Sequence, residues 1–210
     1  MFALLIRGRA VLGFAKACHA GPTVLVGINV PAAQRVSMSS IDHAAWDALL
    51  RKYVDRRGNV AYATWKKSAA DTQLLDRYLV ALSHADANLR APKAAQLAFW
   101  INAYNALTIK GILREYPTTS IRNHTARLYG YNIWKDLQLV VGGTRFSLKE
   151  MEHKRLRTLG EPRIHFAIVC ASQSCPRLLD EAYQAGKLDL QLKTNAINFF
   201  AQPGDFRSAW

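Results

Sequence analysis

Apolar residues recur at helical spacing through Trp46, Leu49, Leu50, Tyr53 and Val54, the mark of one buried face on a 3.6-residue period. Ser39 or Ser40 offers a cap for the start and Gly58-Asn59 a turn for the stop,. Val60, Tyr62 and Thr64 then alternate like a short strand, and Leu74, Leu75, Tyr78, Leu79 and Leu82 mark a second amphipathic helix,. After a loop through Pro92, the stretch AAQLAFWINAYNALTIKGILREYP predicts a long helix ended by Pro117, whose ring pushes the preceding residue out of helical geometry,. Its Leu97, Phe99, Trp100, Ile101, Tyr104, Leu107, Ile109 and Ile112 point in nearly every direction, so this helix is surrounded by protein and centres the fold,.

Further along, residues 137–141, Gly142-Gly143 and residues 144–148 read as a hairpin, since paired glycines suit a turn that needs positive φ,. Ser147 and Glu150 have capping-box spacing and predict a helix that runs to Gly160, with Leu148, Met151, Leu156 and Leu159 buried and Glu152 inside the same stripe,. RIHFAIVC, residues 163–170, reads as an interior strand with His165 opposite Ile164, Phe166 and Ile168,. The small polar turn ASQSCP follows, and Leu188, Leu192, Ala196 and Phe199 give a last helix. The expected architecture is one α+β domain. Its helical N-terminal half, with the long central helix, packs on a small, mainly antiparallel sheet built from 134–148 and 163–170.

Residues 1–38 lack acidic side chains and sustained periodicity, which makes them a leader or loosely attached extension before a single domain over 39–210. Their first twenty residues have the basic, apolar flavour of an export signal, but Lys16 blurs the order of regions and leaves the compartment open between cytoplasmic and exported,. No apolar run is long enough to cross a membrane. Lys and Arg outnumber Asp and Glu by 28 to 15, for a net charge of +13, and the excess is spread without a block of five like charges. Such a surface attracts anions in general but carries no specific nucleic-acid module. Three cysteines exclude a disulfide-rich scaffold,.

Candidate chemistry gathers around residues 150–177. Cys170 at the end of the expected strand is the preferred nucleophile, with Cys175 before Pro176 as the second thiol. His165 or His153 is the base, Glu152 the group that orients it, and the amides around Ser172, or Asn102 on the central helix, donors to an oxyanion. Two other readings stay open: a disulfide between Cys170 and Cys175, and a Glu152–Arg163 ion pair tying helix to strand. A zinc site through H-x4-C-x4-C lacks the usual close cysteine pair and a fourth ligand, so neither a metal nor another cofactor is assigned. A small-molecule or peptide ligand in the seam between the halves would meet Trp100, Tyr104, Arg163 and Arg177, with or without catalysis.

The stretches LAFWINAYNALTIKGILREYP, SLKEMEHKRLR and PRIHFAIVCASQSCPRL, in this order, resemble the family of domain of unknown function 547. The resemblance covers most of residues 41–200 and implies a papain- or transglutaminase-like architecture with a Cys and His site. Here the long helix carries no cysteine and each histidine precedes its thiol, so such a site implies a rearranged order. The resemblance also implies a further segment of the type IFxWYxxDF, so the chain is expected to be truncated at its C-terminus, where it reads GDFRSAW.

Overall fold

A computed structural model describes residues 23–118, 123, 131–169 and 175–201. The described chain begins with β1 (Val24–Val26) and β2 (Val36–Ser37), and continues through α1 (Ala44–Tyr53), α2 (Tyr62–Lys67) and α3 (Ala69–Leu82). Then come β3 (Ala85–Asp86), α4 (Lys93–Glu115), α5 (Ile133–Asp136), β4 (Leu137–Val141) and β5 (Thr144–Ser147). Helix α6 (Leu148–Glu150) runs on as a π-helical turn, Met151–Leu156, and a 3₁₀ turn, Arg157–Leu159. A second 3₁₀ turn, Pro162–Phe166, and α7 (Leu188–Phe200) complete the set. The fold is mixed α+β, and no described helix is long and apolar enough to cross a membrane.

Helix α4 is the axle. Phe99, Trp100, Ile101, Leu107 and Ile109, which point to different sides, are all essentially inaccessible to solvent, as an all-round apolar helix demands. It packs against α2, α3, β4, α6 and the π-helical turn. Gly111 lets the sheet side come close: a Cβ there would stand 2.5 Å from Ile133 Cδ1 and 2.8 Å from Leu137 Cδ2. Tyr116 turns extended ahead of Pro117 and ends the helix, as the sequence predicts,.

The hairpin forms as expected. β4 and β5 pair antiparallel from Gln138↔Ser147 to Val141↔Thr144, and Gly142 and Gly143 take φ of 56° and 79°. Both ends of the following helical run also match the sequence. Ser147 and Glu150 form a reciprocal capping box, and Gly160 ends the run at φ 62°,.

Several expectations are corrected. Residues 163–169 supply no strand to the sheet, and Cys170 lies outside the described residues. Glu161 accepts the Arg163 N–H through its side chain and Pro162 occupies the first turn, so a 3₁₀ turn wins over extended pairing,. The third strand is instead β1, parallel to β4 with Val24 opposite Leu137. The sheet is therefore half parallel, and β2 and β3 form a separate parallel pair. Val30 and Met38 are buried, so the packed body reaches back before Ser39. Tyr62 and Thr64 lie in helix α2, because burial of Trp65 outweighs a three-position alternation. Helix α1 starts at His43, not at the serines: Asp42 accepts the Ala44 N–H at 2.8 Å.

Candidate functional site

The central helix packs against the π-helical turn that carries Glu152 and His153. π-Helical turns are frequent at functional sites because the inserted residue re-aims the side chains around it. Here the turn rotates Glu152 partly outward from the predicted buried stripe. Its Oε1 accepts from Arg157 Nη2 at 2.6 Å and from Nε at 3.2 Å. The partner is therefore Arg157, and not Arg163 or a histidine. Glu152 also lies close enough to Tyr104 for its charge to add to burial in raising the phenol well above its usual range. Trp100 is 1% exposed and Tyr104 3%, so both sit within the core rather than on an open wall. The Arg155 guanidinium covers the rings of Phe146 and Trp100 at 4.8 and 5.7 Å,.

His153 is exposed on the same turn. Its Nδ1 stands 3.0 Å from the Lys149 carbonyl. A carbonyl only accepts, so Nδ1 carries the proton and Nε2 of the neutral ring is an acceptor, the tautomer a general base requires. His165 is exposed on the Pro162–Phe166 turn. Arg163 is occupied: its Nε donates to Glu161 at 2.8 Å and its Nη1 to Asp189 at 2.8 Å.

Three buried asparagines fasten the chain on either side of the cysteines. Asn105 donates to the Ala167 carbonyl at 2.9 Å and accepts the Val169 N–H at 3.1 Å. Asn195 of α7 donates to the Phe166 carbonyl at 2.9 Å and accepts from Arg177 Nε at 3.1 Å. Asn102 donates to the Tyr183 carbonyl at 2.8 Å and accepts its N–H at 2.9 Å. Each amide thus answers backbone groups that burial would otherwise strand. Cys170 and Ser172 lie outside the described residues, and Cys175 is disulfide-bonded.

A cleft of about 500 Å³ opens elsewhere, between the head of α1, the first turns of α4 and Gln184-Ala185. His43 lines it, and burial pushes this imidazole down to about 4, against a smaller opposing pull from Asp42. No periodic or motif signal marks His43, whose partner Tyr78 is on α3. Among the described residues no three His, Cys, Asp or Glu side chains gather as a metal would require.

A family model described as "Protein of unknown function, DUF547" matches residues 88–200, more than half of the chain. The chain belongs to the DUF547 family. No curated protein and no solved structure matches it. The DUF547 match spans α4, the hairpin, the π-helical turn and α7. All three asparagine fastenings and the expected Cys and His residues therefore fall within the DUF547 region, whereas His43 falls outside it.

Proposed function

We propose that this DUF547 chain is a cysteine-dependent hydrolase or acyl transferase acting on an amide or thioester of a peptide-like or glutathione-like substrate. Cys170 is the nucleophile, His153 the base ahead of His165, and the amides of 171–174 the oxyanion donors. The observation that carries this reading is the fastening of residues 166–169 by Asn105 and Asn195, immediately before Cys170. A nucleophile works from a backbone held in place, and buried amides on two helices provide that hold. The His153 tautomer supports it as the base. Glu152 acts indirectly, by holding Arg157 and the turn, and Asn102 positions residue 183 rather than meeting substrate.

The test is iodoacetamide alkylation of Cys170 against pH, after reduction, in the parent and in His153→Ala and His165→Ala. A thiol titrating below the ordinary ~8.5, and returning toward it when His153 is removed, is the expected result. A thiol near ~8.5 that ignores both changes overturns the proposal.

One observation favours a second reading, a non-catalytic module that binds a small acidic ligand, a peptide or a protein partner: Cys175 is already in a disulfide. That reading predicts ligand binding indifferent to reductant. The enzyme reading requires the thiol of Cys170 to be free.

A further inference from the structure

We infer that the cleft at the head of α1 is a second binding site, specific for the free amino end of a short peptide. None of the residues assigned to the cysteine chemistry lines it.

The Tyr78 hydroxyl is buried, and among the described residues its partner is His43 Nδ1 at 2.7 Å. A buried hydroxyl left without an acceptor costs free energy, so the phenol donates to Nδ1. The neutral ring then carries its proton on Nε2, which has no partner among the described residues. His43 therefore offers one fixed N–H donor to whatever occupies the cleft.

The next residue back supplies the opposite function. Asp42 is exposed on the cleft wall, and its Oδ1 is engaged by the Ala44 N–H while Oδ2 has no partner among the described residues. Asp47 also lines the cleft, but its two oxygens are spent on Ala182 N–H and Arg51. Arg51 lines the cleft too, but it is paired with Asp47, so Asp42 is the lining charge left over; on a chain of net charge +13 it reverses the local sign and favours a cation,. An ammonium on Asp42, with the first carbonyl accepting from His43, matches the N-terminal unit of a peptide. Met38, Ile41, Ala44, Ala48, Ala95 and Ala98 give an apolar floor with room for small side chains,.

The probes are trialanine amide with a free amino end and its N-acetyl counterpart, followed by the NMR resonances of the His43 imidazole and of residues 42–48. Saturable shifts with the free peptide, at least tenfold weaker with the acetylated one, are expected. Asp42→Asn keeps the oxygen that caps Ala44, so the fold stands while discrimination between the two probes disappears. Ala48→Phe fills the floor from an exposed position and removes binding of both. Absence of shifts at millimolar peptide, or equal affinity for the two probes, overturns the inference, whatever the outcome of cysteine alkylation.

Discussion

Burial decides the state of His43. A ring that titrates at about 4 in the folded chain and near its ordinary 6.5 when unfolded binds its proton more readily in the unfolded state. Its contribution is therefore complete above pH ~6.5 and is lost as the pH falls toward 4, by on the order of 3 kcal/mol. NMR titration should place the His43 midpoint at about 4, and urea unfolding between pH 7 and 4.5 should show the falling stability. Asn105 makes a sharper case. Asn105→Leu keeps the volume but strands the Ala167 carbonyl and the Val169 N–H. A loss of roughly 2–4 kcal/mol in denaturant unfolding is expected, with Asn102→Leu similar for residue 183.

Among the elements, two glycines are fixed for different reasons and separate under substitution. Gly160 has open space around a φ of 62°, so Gly160→Ala costs only backbone strain, about 1 kcal/mol, and Gly160→Asn less,. Gly111 has ordinary helical geometry but no room beside Ile133 and Leu137. Gly111→Ala should cost about 1–3 kcal/mol in thermal unfolding despite the better helix propensity of alanine. Ser147→Ala should remove about 1 kcal/mol through the capping box,. These features were readable in the letters because each is local: an all-round apolar helix, a glycine pair, a capping box. Residues 163–169 read as a strand because a short apolar run fits both a strand and a 3₁₀ turn, and the cap from Glu161 decides between them. β1 was missed since its partner, β4, is far along the chain. Of the site, the central asparagines and His153 could be picked out by type. The His43 cleft required knowing that α1, α3 and α4 converge.

For the whole molecule, charge and fastening work at different ranges. Much of the acidic complement is tied into ion pairs, including Asp47–Arg51, Asp71–Lys52 and Glu150–Lys154. The basic excess is left to repel itself. Added salt up to about 0.15 M should therefore raise the calorimetric melting temperature modestly; a fall would mean the surface pairs outweigh the repulsion. The Asn102 and Asn105 joints are made with backbone groups alone, are uncharged and feel none of this. Each must surrender a donor and an acceptor together before the backbone it grips is released. The amide protons of Val169 and Tyr183 should consequently exchange with deuterated solvent only when the chain opens globally. Their protection would then report on the whole fold, and that of Val169 from the residue just before Cys170 in the chain.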